Sequence, residues 1–238
     1  MTNLIIDIGN TRIKAALFQG AELLWESAFQ DLEEAKANVE NLDFKYCLIS
    51  SVRWSHDELI EAFPFDFLYL THELKLPIQN LYASPNTLGL DRIAAAVGAW
   101  SKSENTPVLA IDLGSCITYE LVSEKGEYLG GAISPGISMR AKAMNQFTAR
   151  LPLVVLDKVP TELFGNTTVQ CMQIGLWSGV SHEIVGQINA FRQKFSQLKV
   201  FVCGGDAQSF DSLVKDHIFV VPHLVLFGLN AILKHNVE

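Results

Sequence analysis

The sequence predicts a mixed α/β fold that contains the same unit twice. An apolar run that ends in Asp7-Ile8-Gly9 recurs about half a chain later as a run that ends in Asp112-Leu113-Gly114. After each run come a small polar residue and a second β-like run. In both halves, short β-rich runs then alternate with helical patterns. Strands that alternate with helices imply a central mixed sheet covered on both faces.

The first half reads as three strands, a helix and two further strand–helix pairs. Its strand runs are rich in apolar and β-branched residues and are bounded by turn residues. Asp31 is a plausible cap for the first helix, and Ser55 and Glu58 have the spacing of a capping box before the second. The strands fall at about 3–8, 12–18, 22–28, 46–50 and 67–70, and the helices at about 31–41, 59–63 and 90–100.

The second half repeats this order, so both halves run βββα-βα-βα. Its strands fall at about 107–112, 116–123, 127–133, 200–203 and 218–221, and its helices at about 137–147, 167–195, 207–215 and 223–234. Such a duplication resembles the paired ribonuclease H-like units of the actin-like and sugar-kinase superfamily, which enclose a cleft. Turn-forming residues near 101–107 place the boundary there. We therefore expect units at 1–104 and 105–238.

Composition limits the function classes. A net charge of −8 and a pI of about 5.2 disfavour nucleic-acid binding. No apolar block approaches the roughly 20 residues of a membrane-spanning helix, so we expect no membrane partner. The first residues lack the basic region of a signal peptide, which favours a cytoplasmic location. The four cysteines form no CxxC pair, so reduced thiols are expected rather than disulfides or zinc.

The first repeated turn has the features of a phosphate site. It reads Asp7-Ile8-Gly9-Asn10-Thr11-Arg12-Ile13-Lys14. A tight turn between strands directs successive backbone N–H groups outward, where they can hold phosphate oxygens. Lys14 can offset phosphate charge, and Asp7 can hold a hydrated Mg²⁺. The alternative is an ordinary hairpin with a surface Asp and Lys, which the second copy of the turn makes less attractive.

The second turn and a polar segment before a helix complete the candidate site. Asp112 could bind a cation and Ser115 a phosphate, unless this turn is retained only for structure. In the segment from Tyr82 to Arg92, Asp91 could accept the proton of a substrate hydroxyl, and Arg92 could hold an anionic group. The plain alternative is that Asp91 only complements the helix dipole.

Two glycine-rich turns are weaker signals. Gly130 to Gly136 either lines the cleft or simply joins a strand to a helix. Gly204 and Gly205 would let a flat group such as adenine pack on the backbone, although such turns are common.

Four motifs in the correct order resemble the type III pantothenate kinase family. The family patterns are D-x-G-N-T-x-x-K, Y-x-x-P-x-x-x-G-x-D-R, and D-x-G-T-A-x-T followed by G-G-x-I-x-P-G and T-A-x-L-P. A threonine seven residues before a glycine comes last. They correspond to Asp7–Lys14, Tyr82–Arg92, Asp112–Thr118 with Gly130–Gly136 and Thr148–Pro152, and Thr168 with Gly175. The third motif differs from the family pattern, since Ser115-Cys116 stands in place of Thr-Ala. Serine keeps the hydroxyl group for contact with ATP, whereas the effect of the larger cysteine on cation affinity is open.

The resemblance implies an ATP-dependent kinase that makes 4′-phosphopantothenate, the first step of coenzyme A synthesis. It implies ATP contacts along Asp7–Lys14 and at Ser115, with Mg²⁺ as cofactor. It also implies Asp91 as proton acceptor and Asp112 as ligand of a monovalent cation, K⁺ or NH₄⁺. Tyr82, Gly89, Leu90, Asp91, Arg92 and Thr168 would surround pantothenate, with Thr168 supplied by the other subunit of a homodimer.

Two other functions remain open at this point. The family also contains proteins described as accessory factors for transcription, so the chain could bind nucleotide without turnover. A complete segment up to Asp91 and Arg92 argues against a pure binder, because a binder needs no base. A kinase of the same fold that acts on a sugar or on acetate is the third possibility, and the Tyr82–Arg92 segment disfavours it.

Overall fold

A computed structural model describes residues 1–213 and 218–238 of the chain. Most predicted elements of the first half are present, with bounds within a few residues. Two short elements, a strand at Gln79–Asn80 and a 3₁₀ turn at Pro85–Thr87, were not predicted. The strands are β1 (Thr2–Ile8), β2 (Ile13–Gln19), β3 (Glu22–Phe29), β4 (Tyr46–Ser51), β5 (Leu68–Tyr69) and β6 (Gln79–Asn80), and the helices are α1 (Leu32–Val39), α2 (His56–Ala62) and α3 (Leu90–Trp100).

The second half also follows the predicted order. A 3₁₀ helix at Ala207–Leu213 stands where a helix over 207–215 was expected, and positions 214 and 215 lie outside the described residues. The strands are β7 (Val108–Leu113), β8 (Cys116–Val122), β9 (Glu127–Pro135), β10 (Lys199–Cys203) and β11 (Ile218–Val220), and the helices are α4 (Ile137–Gln146), α5 (Thr168–Lys194) and α6 (Leu224–Val237).

The strands form two mixed sheets, one for each half, where the sequence suggested one central sheet. The first has the order β3-β2-β1-β4-β5, and the second has the equivalent order β11-β10-β7-β8-β9 with β6 added at its edge. In each sheet two antiparallel hairpins precede parallel strands. Identical strand order confirms that the chain contains one unit twice.

Local sequence signals explain how several helices begin. The Asp31 carboxylate accepts a hydrogen bond of 2.9 Å from the Glu34 backbone N–H at the start of α1. Ser55 and Glu58 form the expected capping box, because each side chain bonds to the backbone N–H of the other. Both caps satisfy N–H groups that the first turn of a helix leaves without a partner.

The last helix of the chain packs against the first half. α6 crosses α3 and also contacts β1 and β4. Asn230 of α6 is buried, accepts a 3.1 Å hydrogen bond from Asn3 and donates one of 2.8 Å to the carbonyl oxygen of Gly20. The two halves therefore share an interface, and the boundary at 104/105 stays a prediction. Among the described residues, none of the helices combines the length and apolarity needed to cross a membrane.

Candidate active site

The first candidate turn is the hairpin between β1 and β2. Asp7 pairs with Lys14 and Ile8 with Ile13, and the Gly9 N–H donates to the Arg12 carbonyl oxygen at 3.1 Å. The apolar side chains on either side of the turn are buried against the first sheet. Their burial holds the two strands in place, while the turn itself is exposed to solvent. Asn10, Thr11 and Arg12 are exposed at its tip. Polar groups of a rigid turn are thus presented to an external ligand.

The second turn, between β7 and β8, repeats this construction. Asp112 pairs with Thr118, and the Gly114 N–H donates to the Cys116 carbonyl oxygen at 3.0 Å. Ser115 is exposed at the tip. The two hairpins differ at one important position, since Lys14 of the first corresponds to Thr118 of the second.

Three carboxylates and one lysine influence one another at these turns. Burial raises the pKa of Asp7 to about 6; the charges of Asp91 and Asp112 add to the rise, while Lys14 and a hydrogen bond from Ser50 limit it. Burial likewise raises the pKa of Asp112 to about 6, with Asp91 adding to the rise and Lys14 limiting it. The structure therefore brings Asp7, Asp91, Asp112 and Lys14 within electrostatic reach of one another, as sequence pseudo-symmetry suggested for the two turns.

Asp91 lies in the first turn of α3, and polar contacts hold the segment from Tyr82 that leads to it. The Tyr82 N–H donates to the Asn80 side chain at 3.0 Å, and the Leu88 carbonyl oxygen lies 2.7 Å from His72 Nε2. At Gly89, a Cβ atom would lie only 2.5 Å from Asp91 Oδ1, so glycine leaves room for that carboxylate. Asp91 itself is exposed. A carboxylate that is exposed and held on a helix can reach a bound hydroxyl group.

Arg92 points in a different direction from Asp91. Its guanidinium is buried and forms a two-point ion pair with Glu120 of β8, with Nε–Oε1 at 2.7 Å and Nη2–Oε2 at 2.9 Å. Burial disfavours the charged form, but the hydrogen bonds and charge of Glu120 raise the pKa of Arg92 above its usual value. Glu120 is not among the residues predicted from the sequence; its signal there is an acidic residue inside an apolar strand.

Comparisons with known proteins agree with these features. The family model described as type III pantothenate kinase matches residues 3–190. A protein of Bacteroides fragilis named type III pantothenate kinase is 41% identical over 240 aligned positions, which cover 98% of both chains. This chain belongs to the type III pantothenate kinase family.

Solved structures support the fold of this family member. A Campylobacter jejuni protein described as a Baf family transcriptional activator has a TM-score of 0.64 at 23% identity, with 98% of both chains covered. A ROK hexokinase from Thermus thermophilus has a TM-score of 0.54 at 14% identity over the whole of both chains. The fold is the duplicated ribonuclease H-like fold of actin-like ATPases and sugar kinases.

Two glycine turns of this kinase-family chain pack directly on the second hairpin. The Gly136 N–H donates to the Ser115 carbonyl oxygen at 3.0 Å, and a Cβ at Gly136 would lie 2.2 Å from the Gly114 carbonyl oxygen. Gly204 has a φ of +97°, and a Cβ there would lie 2.4 Å from Asp112 Oδ1 and 2.5 Å from the Leu113 carbonyl oxygen. A side chain at either position would overlap these atoms, so both glycines allow their turns to pack closely against the second hairpin.

Thr168 is the remaining residue of the family pattern. It is the first residue of α5, directly after the N-cap Thr167, and its side chain is exposed. Several large apolar side chains near it in sequence are exposed too. Among the described residues, no cluster of three or more His, Cys, Asp or Glu side chains has the arrangement of a metal site.

Proposed function

We propose that this chain transfers the γ-phosphoryl group of ATP to pantothenate and so makes 4′-phosphopantothenate, the first step of coenzyme A biosynthesis. The observation that carries the proposal is the placement of Asp91, at the end of the complete Tyr82–Arg92 segment, within electrostatic reach of Asp7, Lys14 and Asp112. Membership of the pantothenate kinase family supports the choice of substrate. The regulatory alternative is not favoured, because the matching family is named for a kinase.

The ATP phosphates would bind at the two hairpins, in a cleft between units 1–104 and 105–238. The backbone and side chains of Asp7, Ile8, Gly9, Asn10, Thr11, Arg12, Ile13 and Lys14 would contact them, together with Ser115. Lys14 supplies a positive charge beside the half-buried Asp7. Mg²⁺, held on the Asp7 side, would neutralise phosphate charge.

Asp91 would act as the proton acceptor. In-line phosphoryl transfer passes through a loose transition state, so orientation and charge supply most of the catalysis. Asp91 would orient the pantothenate hydroxyl toward the phosphorus atom and take its proton late in the reaction. Tyr82, Gly89, Leu90 and Arg92 would surround the rest of the substrate.

A monovalent cation, K⁺ or NH₄⁺, fits the surroundings of Asp112. The Asp112 carboxylate and the Leu113 carbonyl oxygen converge beside Gly204, where a Cβ would fill the space between them. Oxygen ligands of this type suit hard cations and are used for K⁺ in proteins. The cation would supply positive charge near the phosphates and lower the cost of holding Asp112 ionised.

We further propose a homodimer in which Thr168 completes the partner's pantothenate site. Phe147, Leu163 and Phe164 are 80% or more exposed, and exposed apolar side chains on this scale are typical of an interface. We propose that they form one apolar surface with the other large apolar side chains that are exposed in this part of the chain, Leu153, Val155, Val159 and Val169. A second copy is the natural occupant, since the surface adjoins Thr168 in sequence.

Subunit mixing tests the shared site. Asp91→Asn and Thr168→Ala homodimers should each be impaired, whereas a mixed dimer regains one complete site, with Asp91 from one chain and Thr168 from the other. Absence of complementation in dimers shown to have exchanged subunits would contradict the shared site. Leu163→Glu should yield monomers by analytical ultracentrifugation.

The central experiment measures ADP release from MgATP with and without pantothenate, in K⁺ and then in Na⁺ buffer. Turnover that requires pantothenate supports the kinase, and a lower rate in Na⁺ supports the cation at Asp112. ATP binding without turnover in either buffer would refute the proposed function. We place the enzyme in the cytoplasm, where its four free thiols would stay reduced.

A further inference from the structure

Glu120 has an unusual position for an acidic residue. It lies on β8, in the second sheet, and is fully buried. Three donors meet its carboxylate: Arg92 Nε at 2.7 Å, Arg92 Nη2 at 2.9 Å and the Tyr128 hydroxyl at 2.5 Å. Arg92 Nη2 also contacts the Tyr128 hydroxyl oxygen at 3.3 Å. Every oxygen of Glu120 thus has a partner, which is what allows a charge to be buried there.

This ion pair joins two parts of the molecule that are distant in sequence. Arg92 belongs to the first turn of α3, next to Asp91, whereas Glu120 is anchored in a central strand of the second sheet. The N-cap of α3 is Gly89, which has no side chain to hold that turn. The two-point contact therefore fixes the start of α3 to the second unit in both position and rotation.

The network also reaches Tyr82. The Arg92 Cζ atom lies 5.9 Å from the centre of the Tyr82 ring, and the rings of Tyr82 and Tyr128 are 6.1 Å apart. Glu120 and Tyr128 hold one edge of the guanidinium, and Tyr82 packs beside it. Glu120, Tyr128 and Tyr82 therefore all lie against Arg92, the residue that follows Asp91 in the chain.

We propose that Glu120 is a positioning residue for the pantothenate site and acts through Arg92. The inference rests on the proposed function and adds a residue to it. A buried ion pair is weak grounds for inferring stability, because the cost of removing two charges from water offsets their attraction. Its two-point geometry instead orients Arg92 and the first turn of α3 beside the substrate, where small displacements have large kinetic effects.

The test separates a positioning role from a structural one. Glu120→Gln removes the charge but keeps the shape; we expect KM for pantothenate to rise about tenfold or more, with KM for ATP changed less than about threefold. Asn3→Ala is the matched control, since it removes another buried side-chain hydrogen bond, at the far end of β1. It should lower Tm but leave both KM values unchanged.

A double-mutant cycle tests whether Glu120 acts through Arg92. Arg92→Gln and Glu120→Gln should each raise KM for pantothenate, and the double variant should resemble the worse single variant. Multiplied effects would show independent action and overturn the proposal. Tyr128→Phe keeps the ion pair and removes only the hydroxyl, so it should give a smaller rise, about twofold to fivefold. It carries the test if Glu120→Gln does not fold.

The outcomes distinguish this inference from the proposed function. Wild-type protein that fails to phosphorylate pantothenate would overturn the proposed function and the inference with it. Active wild-type protein, with an unchanged KM for pantothenate in Glu120→Gln and Tyr128→Phe, would overturn the inference alone. A loss of Tm in Glu120→Gln with unchanged KM would show that the pair is only structural.

Discussion

Replacing Gly228 with alanine should push α3 and α6 apart at the point where they cross. A Cβ at this position would lie 1.8 Å from the Ala94 carbonyl oxygen, 2.7 Å from the Ala94 carbonyl carbon and 2.8 Å from the Gly98 nitrogen. All three atoms belong to the backbone of α3, so no side-chain rotation can relieve the overlap. Since a close carbon–oxygen contact is about 3.3 Å, the helices would have to separate by roughly 1.5 Å.

Two opposing effects decide how much the Gly228→Ala substitution changes the free energy of unfolding. Overpacking typically costs about 1–3 kcal/mol, and a rigid backbone neighbour places this site at the upper end. Alanine is favoured over glycine inside a helix by about 1 kcal/mol, which offsets part of the cost. The free energy of unfolding should fall by about 2 kcal/mol. For a chain of this length that lowers Tm by roughly 4–8 °C.

Gly186→Ala is the matched control for this prediction. Gly186 is an exposed residue of α5, and a Cβ there would meet no atom within 4 Å. Its replacement should therefore leave Tm unchanged or raise it by a few degrees. Thermal and urea unfolding of both variants provide the measurement. A Gly228→Ala protein as stable as wild type, or more stable, would refute the packing argument, because the overpacking cost would then be no larger than the helix-propensity gain of about 1 kcal/mol.

Three further predictions follow from the site and from a helix cap. Asp91→Asn should lower kcat about 10²-fold or more while ATP still binds; a loss of less than about threefold in a kinase assay would exclude the base role. With pKa values near 6 for Asp7 and Asp112, kcat/KM should fall as pH drops below about 6, where these carboxylates become protonated. Their raised pKa values mean that the folded state binds protons more readily than the unfolded state, so this contribution to stability is largest at low pH and is lost as pH rises through about 6. Asp112→Asn should shrink the resulting Tm difference between pH 5 and pH 7, and an unchanged difference would contradict the burial of Asp112. Asp31→Ala should cost about 1 kcal/mol in urea unfolding, and no loss would mean that the cap is replaced by water.

Sequence reasoning succeeded where short-range chemistry determines structure. The cap at Asp31 and the box at Ser55 and Glu58 depend on residues three positions apart, so spacing alone reveals them. The repeated Asp-x-Gly turns revealed the duplication, because each turn needs the same strand ends and the same glycine. β6 escaped prediction since Gln79 and Asn80 form a strand only by pairing with β9.

The partner of Arg92 could not be predicted for a related reason. The two residues lie twenty-eight positions apart, one on α3 and one on β8, and they meet only when this helix packs on the second sheet. The sequence indicated Arg92 as a ligand for an anion, and that role stays a prediction. What the structure adds is that Glu120 already engages two of the guanidinium nitrogens, so a substrate must approach from the remaining side.

The two hairpins also explain why a duplicated unit supports an asymmetric reaction. Asp7 faces Lys14 across the first hairpin, whereas Asp112 faces Thr118 across the second. A lysine beside the first turn favours phosphate oxygens there. At the second turn, the half-buried Asp112 carboxylate faces a threonine instead of a lysine, and the positive charge that acts on it comes from Lys14 of the first hairpin. The proposed division of phosphate binding and cation binding between the two copies of the turn therefore corresponds to this one difference between them, Lys14 in the first and Thr118 in the second.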